Sequence, residues 1–574
     1  PLTASDDILC TLTGFASDAD GDDLTYSIEW TRDGNVHGLT TTTTMDGDGV
    51  DAAFLRAYEN WTCNLYAHDG EEFGLAGTDT VSVQPIFLGW GSIDVNLADA
   101  DMFIDGEDTK DYSGRMVAWA GDVDDDGRSD VLVAAPDNDD AGTGAGKVYL
   151  VRAADVDGVD TVPLNDLEIA WTGSGSGSNL GGYVQSKSMA GLGDIDGDGK
   201  SDFMIGEPLY ANSISGSPDG RAYLILSSSV SPSSPTAIPS IETADYIFEG
   251  PSYGQLGHAM ASIGDLNEMG VPDFLIGASN AEGGKGVAYL FHGESIDSSP
   301  TIIADSEYAV KFTAEAPGDN LGLRVAGAGD MDADGLPDLV IAAPNNDVGS
   351  STKSGRAYLF LGDGIEGPTH AAGADADHLL NGQGSNDQAG FAMDSIGDVD
   401  KDGYDDFAIS AKGRDDYGSN SGSVYVINGA ALPIFRTINL GDAWLSIGGE
   451  SAGDRAGHDV EGGGDLDGDG RGDILISAYA NDSGGSNAGR TYAVMGISIP
   501  SDGGSMTLDS ADYTFTGESL ADASGYSIAG GGDWDGDGLS DFLIGAYLHD
   551  IPGADTTISD PGRTYLFLSP SIYH

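Results

Sequence analysis

Seven segments of ten residues, rich in aspartate and glycine, hold the side chains best able to do chemistry. They are GDVDDDGRSD at Gly121, GDIDGDGKSD at Gly193, GDLNEMGVPD at Gly264, GDMDADGLPD at Gly329, GDVDKDGYDD at Gly397, GDLDGDGRGD at Gly464 and GDWDGDGLSD at Gly532. In the first, Asp122, Asp124 and Asp126 stand at positions 1, 3 and 5, Gly127 at 6 and Asp130 at 9. A tight turn with this spacing aims alternate carboxylates at one centre, and the glycine permits the bend that brings in the position-7 carbonyl, here that of Arg128. Calcium takes six to eight hard oxygens at about 2.3–2.6 Å, which is the donor set such a loop supplies.

Five further loops are complete. Their carboxylates and position-7 carbonyls are those of Asp194, Asp196, Asp198, Lys200 and Asp202; of Asp330, Asp332, Asp334, Leu336 and Asp338; and of Asp398, Asp400, Asp402, Tyr404 and Asp406. The last two comprise Asp465, Asp467, Asp469, Arg471 and Asp473, then Asp533, Asp535, Asp537, Leu539 and Asp541. Six calcium ions are therefore expected. The third loop, beginning at Asp265, has Asn267 and Met269 where carboxylates belong; a thioether is a poor calcium ligand, so this loop is predicted empty, its shape kept by Gly270 and Asp273. An EF-hand needs a glutamate at position 12 and flanking helices, whereas position 12 of the first loop is Val133 within an apolar run. The Arg471-Gly472-Asp473 tripeptide reads as part of its loop, not as an adhesive signal.

The first aspartates lie 72, 71, 65, 68, 67 and 68 residues apart, and the surroundings repeat with them. A glycine or serine precedes each loop by eight residues, with Ser186 taking that place in the second copy. An apolar run follows the loop (VLVAAP, FMIGEP, FLIGAS, LVIAAP, FAISAK, ILISAY, FLIGAY), then a third such as KVYLV or RTYLFL, and a fourth such as LEIAWTG or DYTFTGE. Short β-branched and aromatic runs bounded by turn residues are strands, so each unit is four strands, the pattern of a propeller blade. The fourth-strand pattern first occurs at Asp101–Gly106, ahead of any loop, while the chain stops after the third strand of the seventh unit. The leading strand fills the trailing vacancy, and the ring closes without open edges. The fold predicted is all-β: a seven-bladed propeller over residues 86–574 whose N-terminal strand completes the last blade.

A glycine-led strand, D-x-D-x-D-G-x-x-D and a GAP-like tripeptide (Ala134-Ala135-Pro136, Gly206-Glu207-Pro208, Ala342-Ala343-Pro344) together resemble the FG-GAP repeat of integrin α-subunits and many bacterial surface proteins. The resemblance covers residues 90 to 574. The FG itself is loosely kept, which points to a divergent prokaryotic type. It implies a calcium-loaded propeller that meets a protein or glycan partner at the outside of a cell.

Residues 1–85 lack the repeat and show short alternating strands, with Cys10, Trp30 and Cys63 in the order of an immunoglobulin-like sandwich. A Cys10–Cys63 disulfide there would imply an oxidising compartment; two free buried thiols are the other reading. The acidic turn with Asp18, Asp20 and Asp22 resembles that of cadherin-like and PKD-like modules, where it would hold calcium, and equally fits a plain hairpin turn.

With 95 acidic against 23 basic residues and a formal charge of -72, the chain repels nucleic acid and anionic lipid and concentrates cations. Six calcium ions would leave about -60, the rest being surface carboxylate that favours solubility. No apolar run is long enough to span a bilayer. Neither an H-E-x-x-H nor a Walker pattern occurs, and no catalytic residues are nominated. The function expected is an extracellular, calcium-binding adhesion scaffold, secreted or on the cell surface, binding another surface protein, a matrix component or a glycan. A self-assembling fibre or layer subunit is the second reading and a propeller-scaffold hydrolase the third.

Overall fold

The computed structural model describes residues 94–569, apart from short segments at 183–185, 212–215, 231–237, 297–298, 366, 433–435 and 552–558, and before residue 94 the course of six strands. The chain divides into two compact units, chiefly Pro1–Trp90 and chiefly Gly91–Gly536 with Ser540–Leu568. In the first, Asn35–Thr42, Thr25–Arg32, Asn60–His68 and Phe73–Ser82 form an antiparallel sheet in that order, and Ile8–Cys10 pairs with Asp48–Val50 in another. Register sets Trp30 opposite Cys63, with Cys10 on the other sheet. The side chains of Cys10 and Cys63, and the turn at Asp18, Asp20 and Asp22, lie outside the described residues.

The second unit is a seven-bladed propeller. Blade 4 shows the plan: Arg324–Gly329, Asp338–Ala343, Arg356–Phe360 and His378–Asn381 pair antiparallel in chain order from the axis outward. The second strand is buried at every residue, as a run of apolar and small side chains covered on both faces must be. Cores lie between blades; Val424 and Val426 of blade 5, for example, pack with Ile474 and Ile476 of blade 6. Each third strand carries a tyrosine whose ring is buried, and several hydroxyls meet a carboxylate from the connection between blades: Tyr358 to Glu315 at 3.0 Å and Tyr565 to Glu518 at 2.8 Å. Arg356 and Arg563 grip the same two glutamates, so scarce cations are used to fasten one blade to the next.

The sheets are wider than four strands. Thr437–Asn439, from the next blade's third connection, adds in parallel to the outer edge of blade 4, and Thr301–Ile303, Thr369–Ala371 and Gly504–Thr507 do so for blades 2, 3 and 5. Blade 1 receives, among the described residues, a single bridge, Thr172 with Ser240. These added strands have three or four residues and mostly one buried position each, too little pattern to read as strand in the sequence.

Ring closure follows the same rule twice. Met102–Asp105 pairs antiparallel with Arg563–Phe567 as the fourth strand of blade 7, as expected, while Asp94–Asn96 adds in parallel to Tyr513–Thr516 of blade 6. Arg563 holds both oxygens of Asp105 at 2.6 and 3.2 Å, and Asp94 accepts from Arg490 at 3.0 Å and Thr514 at 2.7 Å.

One assignment is corrected. The N–H of Gly114 donates to Ala134 and that of Gly390 to Ser410; in blade 2 the equivalent bond runs from Gly181 to Gly206 at 2.9 Å. Gly181 has φ +79°, matching +74° at Gly114 and +80° at Gly390, so it and not Ser186 is the glycine of that blade. An insertion between Gly181 and Ser188 defeats counting back from the loop.

Candidate metal centres

All seven loops join the innermost strand to the second and so lie on one face of the propeller. The position-1 carboxylate organises the turn. Asp122 Oδ1 accepts N–H from Asp125 at 2.7 Å and Asp126 at 3.1 Å, and Oδ2 accepts from Gly127 at 2.8 Å; Asp194 does the same for Gly197, Asp198 and Gly199. Position 5 holds the amide of position 7, as with Asp126 to Arg128, Asp334 to Leu336 and Asp469 to Arg471.

Position 9 does more than its spacing implies. Asp338, buried, accepts the Met331 N–H on Oδ2 and the Gly362 N–H on Oδ1, both at 2.8 Å, tying the loop to the turn after the third strand. Asp130, Asp202, Asp406 and Asp473 repeat both bonds. Asp541 accepts from Trp534 at 2.8 Å. Burial drives these carboxyls up, against the pull of the two amides: Asp202 to about 6, Asp130, Asp338 and Asp406 to about 7, Asp473 to about 8. Asp473 is fully buried, so Arg471-Gly472-Asp473 is not displayed.

Ligand atoms of Asp122, Asp124 and Asp130 lie within 4.8 Å of one another, as do those of Asp194, Asp196 and Asp202 and of Asp330, Asp332 and Asp338. Burial raises Asp124, Asp332 and Asp400, and neighbouring carboxylates raise them further. Asp124 Oδ1, Asp400 Oδ1 and Asp465 Oδ1 are buried with no hydrogen-bond donor. An undonated buried carboxylate oxygen among other carboxylates is costly, and a hard cation satisfies it. The residues therefore fit a metal. Asp363, in the turn after the third strand, joins Asp332 and Asp334 in a further cluster. Sequence reading missed it because it lies outside the repeat motif, although its place after a third strand recurs in every blade.

The loops also join hands. The position-8 N–H donates to the position-1 carbonyl of the preceding blade's loop: Ser129 to Asp533, Ser201 to Asp122, Asp405 to Asp330, Gly472 to Asp398 and Ser540 to Asp465, at 2.7–3.2 Å. Two links fail, where position 8 is Pro272 or Pro337 and no N–H exists. Both flank the third loop. Side chains reinforce the chain of loops, with Lys200 donating to the Asp124 carbonyl and Arg471 to the Val399 carbonyl.

The third loop keeps the turn without carboxylates at positions 3 and 5, and ligand atoms of Asp273, His292 and Glu294 lie within 4.8 Å of one another there. Asp265 accepts from Met269 and Gly270, and Asp273 keeps both clamp bonds, to Leu266 and Gly293 at 3.1 Å. Asn267 donates to Glu294 at 2.9 Å, Met269 is exposed, and the His292 ring lies 3.1 Å from Asp273, off-line for a straight hydrogen bond.

Gly449-Glu450-Ser451-Ala452-Gly453 matches the spacing of a serine nucleophile elbow, but Ser451 is exposed in a turn after the strand Leu445–Gly448, with no following helix to activate it. Among the described residues no helix is long and apolar enough to cross a membrane.

Three segments, residues 117–151, 322–360 and 394–427, match the FG-GAP repeat. Integrin alpha-PS2 of Drosophila melanogaster is 34% identical over 182 residues, 30% of this chain and 12% of that one. Human integrin alpha-IIb is 33% identical over 159 residues, 26% of this chain and 14% of that one. The phosphatidylinositol-glycan-specific phospholipase D of Rattus norvegicus is 30% identical over 236 residues, 39% and 26% of the two chains. The chain thus spans about a quarter or less of the length of these relatives. Among solved structures, a Bacillus licheniformis rhamnogalacturonan lyase aligns over 84% of this chain and 70% of its own at 15% identity and TM-score 0.30, too distant to carry an argument. Architecture and matches together make this chain a seven-bladed propeller that carries FG-GAP repeats in three of its blades and is similar, over part of its length, to integrin α-subunits.

Proposed function

We propose that the chain is an extracellular, calcium-stabilised interaction scaffold that binds a surface protein, matrix component or glycan through its propeller, and that it is not an enzyme. The observation carrying this reading is the set of carboxylate clusters with undonated buried oxygens on a propeller similar to that of integrin α-subunits. Six ions sit in the complete loops, held by the position 1, 3, 5 and 9 carboxylates and the position-7 carbonyls, and the third loop holds none. Residues 1–85 form an immunoglobulin-like domain closed by a Cys10–Cys63 disulfide, followed by the propeller over 86–574.

Bound calcium neutralises carboxylates that otherwise repel, and because the site exists only in the folded chain, binding stabilises the fold. The test is an array of matrix proteins and glycans probed with the purified chain in calcium and after chelation. Calcium-dependent capture is expected; a folded, calcium-loaded chain that captures nothing overturns the reading.

A further inference from the structure

The face opposite the calcium loops carries a concentration of positive charge that the scaffold does not use. In a chain of formal charge -72, most cations fasten blades together or pair within loops. Lys412 and Arg455 do neither. Lys412 is buried and meets no carboxylate among the described residues; its ammonium lies 3.1 Å from the centroid of the Phe391 ring, with the Arg324 guanidinium 5.3 Å from the same centroid. Burial, with Arg324 and Arg455 as like-charged neighbours, lowers Lys412 to about 6. Arg455 is exposed, and among the described residues its guanidinium donates only to the Tyr479 hydroxyl, at 2.6 Å.

The buried His458 ring and three half-buried tyrosine rings connect these cations. The His458 ring lies 4.3 Å from Tyr479 and 4.6 Å from Tyr526, Tyr526 lies 4.6 Å from Tyr547, and Arg115 approaches Tyr547 at 5.4 Å. The repeat explains the gathering. Lys412, Tyr479 and Tyr547 occupy the last place of the GAP-like tripeptide, where blades 1, 2 and 4 have proline. Arg115, His458 and Tyr526 each follow the glycine that precedes an innermost strand. Both places lie at the end of the blade opposite the calcium loop, so blades 5, 6, 7 and 1 present a continuous sector of the axial mouth. Arg115 lies 3.5 Å from Asp137, and Asp459 acts on Arg324 across the same region, leaving the sector short of negative charge beside Lys412. Below it, Lys187 and Glu461 meet in the channel.

We propose that this sector of the axial mouth binds a carboxylated sugar, a uronate unit of an acidic glycan, with the carboxylate received by Lys412 and Arg455 and the ring faces of the sugar packed on Tyr479, Tyr526 and Tyr547. This rests on the interaction-scaffold reading and narrows it to a ligand class. A buried ammonium surrounded by like charge is unfavourable alone and is relieved by an arriving anion, which forms charge-assisted hydrogen bonds there. Half-exposed tyrosine rings suit the mixed apolar and hydroxyl surface of a sugar. The long-range field of the chain repels a polyanion, so a short oligomer is the better ligand, and moderate salt, with a screening length of about 10 Å at 0.1 M, helps it approach.

The experiment is calorimetric titration of the calcium-loaded full chain with a hexuronate trimer, the neutral hexose trimer and a glutamate-rich peptide. Binding of the uronate alone is expected, weakened about ten- to hundredfold by Lys412→Met, which removes the amine that takes up a proton as the carboxylate arrives, and measurably by Arg455→Gln at an exposed position. No uronate binding by a chain that still takes up calcium overturns the inference, as does uronate affinity unchanged in both variants. Tighter binding of the peptide at the same residues overturns the sugar assignment. If wild type and Lys412→Met are captured equally by a surface component, the scaffold reading stands and this inference falls.

Discussion

The third loop and the six others share a backbone and differ in what the backbone is for. In all seven the position-1 aspartate closes the turn, and in blades 1 to 6 the position-9 aspartate ties it to the end of the third strand, so these bonds belong to the fold. Only the six add carboxylates at positions 3 and 5, leaving oxygens such as Asp124 Oδ1 and Asp400 Oδ1 without donors. The third loop has instead an asparagine bonded to Glu294 and a histidine beside Asp273, and prolines interrupt its links to both neighbours. Turn shape thus does not require the carboxylates of positions 3 and 5, because the third loop keeps it without them.

The comparison is tested most severely by removing calcium. Each site filled at a hundred times its dissociation constant contributes about 2.7 kcal/mol, so chelation should lower the melting temperature by on the order of 10 °C, while metal analysis of the loaded chain should return six ions. Seven ions would erase the distinction between the loops.

Next in size is the position-9 clamp. Asp338→Ala and Asp273→Ala each strand two buried backbone amides, and each should cost about 2–5 kcal/mol in calcium or without it. A large loss in blade 4 with none in blade 3 would mean that position 9 matters only through the ion. Position 3 should behave oppositely: Asp332→Ala removes one ion and a few degrees of calcium-dependent melting temperature, whereas Asn267→Ala leaves the ion count unchanged. The double change Asn267→Asp with Met269→Asp completes the motif and should add an ion, read by equilibrium dialysis.

The links between loops come lower. Ser540→Pro deletes the N–H bonded to Asp465 and should cost about 1 kcal/mol in chemical unfolding. Pro337→Ala supplies a missing N–H but loosens the unfolded chain by a similar amount, leaving stability within about 1 kcal/mol of wild type.

Much of this was legible in the sequence because the informative residues sit at fixed spacing within each repeat. Asp122, Asp124, Asp126 and Asp130 form one cluster-bearing turn because ten consecutive residues encode it, and the closing strand at Met102–Asp105 betrayed itself by repeating the fourth-strand pattern. What escaped depends on residues far apart in the chain. Asp94–Asn96 is strand only because Tyr513–Thr516 offers it an edge, and three residues carry too little periodicity to announce that. Gly181 was hidden by an insertion that broke the count. The mouth at Lys412 was invisible for a related reason: its members are departures from the repeat in separate blades, and closure of the ring alone makes them neighbours.

The smallest effect expected concerns the charge that stands at the third loop. Its pairing with Asp273 raises the His292 imidazole, with burial opposing, so protonated His292 supplies positive charge beside a carboxylate that in the other loops faces the proposed ion. A histidine whose folded-state value lies above the unfolded value of about 6.5 contributes stability that is complete below that pH and is lost as pH rises through the folded value. His292→Gln should therefore lose stability relative to wild type at pH 6 and converge with it in mildly alkaline solution, the difference being a fraction of a kcal/mol because the ring is partly exposed. The measurement is chemical unfolding of both proteins across that range in saturating calcium, which holds the other six loops constant. A difference that does not narrow with rising pH would show that the ring acts by packing, and that the third loop keeps its shape without a positive charge.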